Sequence, residues 1–342
     1  MTVLSKFAAG TGLAAALLAG SVTAATAFTA CQVTDTGGID DSGFNQTAWK
    51  GVQDAGAAHG IEARFLESQA ESDYEANLNS LIGGGCDVIV TVGFLMGDAT
   101  KKAAEANPNQ KFSIVDFAYD PTIPNVVGQV FATEQAAFLA GYLAAGMSET
   151  GVLGTFGGIN IPPVTVFMDG MVYGANYYNE KHGTDVTVLG WNPETKEGLF
   201  TGNFDSLDDG RAFAQNLYDE GADIVMPVAG PVGLGSAALA DELGTDELRI
   251  IGVDADQALT DPEKAHVYLT SVLKRMDSTV QEVIEAAMDG SFEGGLMVGT
   301  LENDGVSLAP YHTFEGTIPA DLQAELDEIK AGIIDGSIKI GM

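Results

Sequence analysis

Along this chain short apolar runs alternate with longer stretches that read as helices. Phe28 to Thr34 reads as a strand, Ser42 to His59 as a helix, 63–66 as a strand and 72–81 as a helix. The same order continues through strand 87–92, helix 98–106 and strand 111–116, with Pro108 closing the helix that precedes it. Strands and helices that alternate at this length predict βαβ units and a parallel sheet covered on both faces.

Strand 126–131 and helix 134–147, whose apolar positions fall at helical spacing, lead into a restart of the pattern. Strand 151–156, helix 164–178, strand 186–190, helix 207–220, strand 222–228, helix 234–243 and strand 248–253 predict a second α/β lobe of similar size. Strand 266–273, helix 278–289, strand 296–301 and a closing helix 320–335 then remain, and they are expected to pack back on the first lobe. That assigns 28–131 plus about 271–342 to lobe 1 and 132–270 to lobe 2, with hinge crossings near Phe131, near Leu269 and beyond Gly299.

The first 27 residues stand outside the pattern. Lys6 is their only charge, Phe7 to Gly20 is a largely apolar run too short to span a bilayer, and Ala25-Thr26-Ala27 is a small-residue cleavage site. Residues 1–27 therefore read as a signal peptide and the mature chain as exported, periplasmic or at the extracellular face of the membrane. A second reading of Phe28-Thr29-Ala30-Cys31 makes Cys31 a lipid-bearing N-terminus. No later segment reaches the roughly 20 apolar residues of a transmembrane helix.

Charge narrows the partners. The 342 residues carry 48 acidic and 15 basic side chains, a formal net charge of −33, which argues against a nucleic acid polymer as partner. With 46% apolar residues the chain has material for a large core and is not a disordered acidic tail. The acidic excess reads as solvated helix faces.

In open parallel sheets ligands bind beyond the carboxyl ends of the strands. The strand exits read here are Asp35, Gly93-Phe94, Asp116-Phe117, Gly157-Gly158, Trp191-Asn192, Ala229-Gly230 and Asp254; loops after them add Phe44, Asn45 and Phe204, and Lys274 follows the last crossover strand. One such aspartate alone would read as a helix cap. Three of them from both lobes, with aromatics and a lysine, match a site for a polar organic ligand. His59, His182, His266 and His312 form no metal-binding spacing, so no metal ligand, catalytic residue or cofactor is assigned. Gly233-Leu234-Gly235-Ser236-Ala237-Ala238 formally fits a dinucleotide loop, with the plainer reading of a helix N-terminus approached closely by backbone or ligand.

Several segments recur in a known order: Val33-Thr34-Asp35-Thr36-Gly37-Gly38-Ile39-Asp40-Asp41-Ser42-Gly43-Phe44-Asn45-Gln46, Val92-Gly93-Phe94-Leu95-Met96, Phe112-Ser113-Ile114-Val115-Asp116 and Gly154-Thr155-Phe156-Gly157-Gly158-Ile159. Gly252-Val253-Asp254-Ala255-Asp256-Gln257, Thr270-Ser271-Val272-Leu273-Lys274-Arg275 and Gly299-Thr300-Leu301-Glu302-Asn303-Asp304-Gly305-Val306 complete the set. From about Cys31 to the C-terminus the chain resembles the basic membrane protein family of ABC-transporter solute-binding proteins, which includes purine nucleoside receptors. The resemblance implies two Rossmann-like lobes joined by a hinge, the type I periplasmic-binding-protein architecture. It implies a monomeric, non-enzymatic protein that delivers a nucleoside to ABC permease subunits at the membrane. Phe44 and Phe204 would sandwich the base, and Asp35, Asn45 and Asp116 would meet polar edges. Asp254 and Lys274 would take the ribose hydroxyls, and Gly230 would allow close approach.

The chemistry of those residues agrees: rings stack on a base, carboxylates accept from N–H and O–H donors, and a lysine compensates buried charge. Met226-Pro227-Val228-Ala229-Gly230-Pro231-Val232-Gly233 departs from the usual run, and Trp191 adds an aromatic near the cleft. Both leave room for another heterocycle, such as a flavin. A competing reading is a secreted nucleoside hydrolase using Asp35, Asp40 and Asp41, set against a solvated turn that starts a helix at Ser42.

Cys31 and Cys86 are the only cysteines. They fall near the starts of the first and third strands, which are neighbours about 4.8 Å apart in a 2-1-3-4-5 sheet, so a disulfide is within reach. Two small core residues are the alternative.

Overall fold

Two six-stranded sheets with one order of elements carry the chain in a computed structural model that describes Thr2 and residues 27–341. Apart from Thr2 and Ala27, the signal peptide read at 1–27 lies outside the described residues. The first lobe contains β1 (Thr29–Val33), α1 (Phe44–His59), β2 (Glu62–Leu66), α2 (Tyr74–Gly83), β3 (Val88–Val92), α3 (Gly97–Ala106), β4 (Lys111–Val115) and β5 (Val126–Phe131). The second contains α4 (Thr133–Met147), β6 (Val152–Gly157), α5 (Pro162–His182) and β7 (Thr187–Leu189), followed by the small hairpin of β8 (Trp191–Asn192) and β9 (Glu197–Gly198). It continues through α6 (Leu207–Asp219), β10 (Ile224–Val228), α7 (Gly233–Leu243), β11 (Arg249–Asp254), the short α8 (Gln257–Thr260) and β12 (Tyr268–Lys274). The chain then returns through α9 (Met276–Asp289) and β13 (Gly295–Gly299), and ends with β14 (Val306–Leu308) and α10 (Ala320–Ile334).

The first sheet runs β13-β5-β4-β3-β1-β2 and is wholly parallel. The second runs β14-β12-β11-β10-β6-β7, parallel except for β14. Helices α1 and α9 bury one face of the first sheet and α2 and α3 the other. In the second lobe α4 and α5 take one face and α6 and α7 the other. Double coverage is why Val88-Ile89-Val90-Thr91-Val92 is buried at every position and shows no in-out alternation. Gly141 and Gly174 bring α4 and α5 together backbone to backbone, since a Cβ at either would run into the carbonyl of Met171 or Phe138. Pro227 has no N–H, and the β10–β11 ladder stops at Val225 while β10 remains paired with β6 to Val228.

The C-terminal assignment differs from the sequence reading. Only residues 276–299 join the first lobe; β12 and β14 pair within the second sheet. α10 lays Leu322, Leu326, Ile329 and Ile333 into the same core as α4 and α5. The cause is α4, which is buried on nearly all sides from Ala136 to Ala145, so that α5 alone cannot cover it. The crossing expected near Leu269 accordingly lies at Arg275, between β12 and α9; the others fall at Ala132 and after Gly299.

Cys31, opposite Ile89 in the β1–β3 ladder, is bonded to Cys86 just ahead of β3, with Cα atoms 6.0 Å apart. Cys31 is fully buried, so neither the free-core reading nor a lipid on its sulfur fits the structure. Among the described residues no helix is long and apolar enough to cross a membrane.

Candidate functional site

The carboxyl ends of both sheets open on one interlobe cleft. Asp35, Phe44, Asn45, Asp116, Phe204, Gly230, Asp254 and Lys274, the eight residues singled out in the sequence, all line it. Parallel strands favour this convergence, because all the parallel strands of a lobe end on the same side.

The centre of the cleft is an ion-pair cluster. Lys274, at the end of β12 and 3% exposed, places Nζ 2.6 Å from Asp116 Oδ2 across the lobes and 3.4 Å from Asp254 Oδ1 within its own lobe. The same ammonium sits 4.6 Å from the ring centre of Phe44, 5.5 Å from Phe131 and 5.8 Å from Phe167. Burial works to lower the Lys274 pKa, but Asp116 and Asp254 outweigh it and hold the amine above the ordinary lysine range. Burial pushes Asp116 and Asp254 up from the usual carboxylate range, and Lys274 opposes that rise in both. Asp116 and Asp254 both adopt left-handed backbone, with φ of 65° and 68°. Such conformations are uncommon outside glycine and tend to be held where a site requires them.

Asp35 is built differently. Its Oδ1 accepts from the Gly37 N–H at 3.0 Å and from Asn45 Nδ2 at 2.7 Å. Burial raises its pKa above the usual carboxylate value, against those hydrogen bonds. Asn45 donates through the same Nδ2 to Asp41 at 3.1 Å, while its Oδ1 accepts from the Asp35 N–H at 3.3 Å. The Asn45 amide is therefore engaged within the protein, and the residue orients Asp35 more than it faces the cleft. Asp41 accepts from the backbone N–H groups of Gly43, Asn45 and Gln46 and so caps α1. Burial nevertheless pushes its carboxyl up to about 7. Asp40 is exposed, so the Asp35, Asp40 and Asp41 grouping of the hydrolase reading does not converge.

On the opposite wall, Phe204 packs over Gly158, where any Cβ would collide with its ring. Gly230 has φ 55° and open space at its missing Cβ, so its backbone conformation is what selects glycine. Val164, Phe167 and Pro231 complete an apolar surface. Trp191 does not take part: it is 6% exposed, donates its indole N–H to Asp169 at 2.9 Å and lies against Phe200. Sequence reasoning missed Phe131 and Phe167, which surround the lysine. Phe131 ends β5 just as Lys274 ends β12, so strand-exit position was the available signal; Phe167 lies inside α5 and carried none.

A family model for PnrA-like ABC transporter substrate-binding proteins, Bmp, matches residues 28–338. The chain is 31% identical to the ABC transporter nucleoside-binding protein BmpA of Lactococcus lactis subsp. cremoris, over 90% of this chain and 87% of that one. It is 33% identical to Basic membrane protein A of Borreliella burgdorferi, over 88% and 84% of the two chains. Among solved structures, an ABC transporter solute-binding protein from Aeropyrum pernix superposes with a TM-score of 0.82 at 28% identity, over 91% of this chain and 92% of that one.

Proposed function

Because the chain belongs to the PnrA-like family of ABC transporter substrate-binding proteins, a family that works outside the cytoplasm, we propose that its cleft encloses an uncharged nucleoside, a purine nucleoside first, and delivers it to the permease of an ABC importer. The observation that carries this reading is the convergence of Asp35, Asp116 and Asp254 on one cleft whose two walls each supply an aromatic ring, Phe44 and Phe204. The nucleoside-binding name of the Lactococcus relative supports it.

In this reading Phe44 and Phe204 hold the faces of the base, an arrangement worth roughly 1 to 3 kcal/mol per stacked base. Asp35, held in place by Asn45, and Asp116 accept from N–H donors on its edge, so a ligand without those donors leaves buried acceptors unpaired. Asp254 accepts from the ribose hydroxyls and Lys274 donates to them, while Gly230 lets the ligand approach the backbone. A charged ligand is disfavoured: the one lysine lining the cleft already faces two carboxylates. The cleft is complete within one chain, which supports a monomer.

The test is to purify the protein without denaturation, release what it carries and identify it by mass spectrometry. The expected result is a nucleoside; recovery of only sugars or amino acids would reject the assignment.

A further inference from the structure

Phe204 stands on a loop, 199–206, between β9 and α6, so something other than a strand or a helix has to fix its ring in the cleft. On one side the loop is tied to the exit of β6: the Thr201 and Gly202 N–H groups donate to the Gly157 and Gly158 carbonyls at 3.0 and 2.8 Å. On the other side the tie is the side chain of Asn203. Its Oδ1 accepts from the backbone N–H groups of Asp205 at 3.2 Å and Ser206 at 2.9 Å, while its Nδ2 donates to Asp209 Oδ2 at 2.8 Å and to the Thr201 carbonyl at 3.3 Å. Two of these partners only donate and two only accept, which is the pattern of a carboxamide and of no carboxylate. The anchor at the far end is firm. Asp209 lies in the first turn of α6, where its N–H donates to the capping Ser206 Oγ at 3.2 Å, and α6 is seated at Gly210, whose missing Cβ would run into the Val232 carbonyl. Among the described residues that line the cleft Phe204 is present and Asn203 is not. On the first wall Asn45, next to Phe44, is engaged in a similar way with Asp35 and Asp41.

We propose that Asn203 is a positioning residue: by tying the loop to Asp209 on α6 it holds the Phe204 ring at the cleft wall before a ligand arrives. The inference rests on the nucleoside reading above for what the ring then covers. A ring already in place loses little freedom when it stacks, so its contact shows in full as affinity; on a loose loop part of that contact is offset by the entropy of ordering. Asn203 thus acts on the ligand only through Phe204, and its effect should vanish when that ring is removed.

Calorimetric titration with inosine of the mature protein, Asn203→Ala, Phe204→Ala and the double variant tests this. Asn203→Ala should weaken inosine binding about fivefold, and in the Phe204→Ala background the same change should weaken it by less than about twofold. A polarity exchange gives a second readout. Asn203→Asp sets a carboxylate against Asp209 and should lose at least as much affinity, and Asp209→Asn added to it returns a donor to that contact and should recover most of the loss. The exchange pair decides the matter if Asn203→Ala does not fold. In the ligand-free protein the Thr201 and Gly202 amides, whose own acceptors are untouched, should exchange hydrogen faster in Asn203→Ala than in the wild type. Undiminished inosine affinity in Asn203→Ala, an equal loss with and without the Phe204 ring, or no recovery in the exchanged pair overturns the proposal while the nucleoside assignment stands. If the wild type binds no nucleoside, that assignment fails, and the two amides then decide the positioning role alone: faster exchange upholds it and unchanged exchange overturns it.

Discussion

Asp116 directly follows β4 of the first lobe, and Asp254 ends β11, the strand in the matching place of the second. Both carboxylates adopt left-handed backbone and both face Lys274. The other matched exits diverge. β1 leads to Asp35 where β6 leads to Gly157 and Gly158 beneath Phe204, and β5 ends in Phe131 where β12 ends in Lys274. The first lobe thus presents Asp35 and Asp116 beside Phe44, whereas the second presents Asp254 and the single cation among Phe204, Val164, Phe167 and Pro231. A repeated sheet order sets where groups stand, and the residue chosen at each exit sets what they recognise. In the proposed function each wall covers one face of the base, the first lobe reads donors on its edge through Asp35 and Asp116, and the second meets the ribose through Asp254 and Lys274.

The lobes also differ in how they are fastened, and the largest predicted effects come from the joints. Lys274→Ala would leave Asp116 and Asp254 buried without their cation, at a cost of about 3 to 5 kcal/mol, visible as a lower denaturation midpoint together with loss of ligand binding. Lys274→Met should be better tolerated in stability than in binding if Asp116 and Asp254 take up protons, which separates charge compensation from packing. Reduction of Cys31–Cys86, or the double change to alanine, releases a link spanning 55 residues in the first lobe only. It should destabilise by roughly 2 to 4 kcal/mol, and hydrogen exchange should quicken in β1 and β3 before the second sheet. Equal loosening of both lobes would contradict that asymmetry.

Phe44→Ala should weaken nucleoside binding by roughly 1 to 3 kcal/mol, and Phe204→Ala by a similar amount from the other wall. Thermal shifts with saturating ligand measure both, and a shift unchanged in either variant removes that ring from the stacking role.

The smallest predicted effect is on pH dependence. Asp41 has its carboxyl pushed up to about 7 from 3.8 by burial. Between those values the folded chain holds a proton that the unfolded chain has released, so this group's contribution to stability is present at low pH and is lost as pH rises through about 7. Burial raises Asp35, Asp116 and Asp254 in the same direction. The melting temperature should therefore rise from about pH 8 to about pH 5.5, and Asp41→Asn should flatten the rise. An unchanged slope in that variant would assign the effect to the three cleft carboxylates.

Much of this frame was legible in the sequence. Wholly buried parallel strands show as unbroken apolar runs, as at Val88–Val92, and their exits mark the cleft without further information. The three aspartates, Phe44 and Lys274 were accessible in this way. The docking of α10 was not, because an apolar stripe such as Leu322, Leu326, Ile329 and Ile333 says that a helix is covered and not which lobe covers it. β14 is three residues long and pairs antiparallel at an edge, too short for a periodic signal. The engagement of Asn45 with Asp35 and Asp41 depends on side-chain geometry within one turn, and Trp191 beside the cleft in sequence points into the core. Residue type and position picked out residues that line one cleft, whereas the hold of Asp35 and Asp41 on Asn45 is visible only in the coordinates.

The account's central claim is that three buried carboxylates and an aromatic ring on each wall together select an uncharged nucleoside. Calorimetric titration of the protein, freed of any carried ligand, with inosine, guanosine, free ribose and guanosine 5′-monophosphate tests it most directly. The account predicts that the nucleosides bind at micromolar concentrations or tighter, about −8 kcal/mol or better, that ribose does not bind, and that the monophosphate binds more weakly than guanosine. Binding of ribose or the monophosphate in preference to the nucleosides would contradict it.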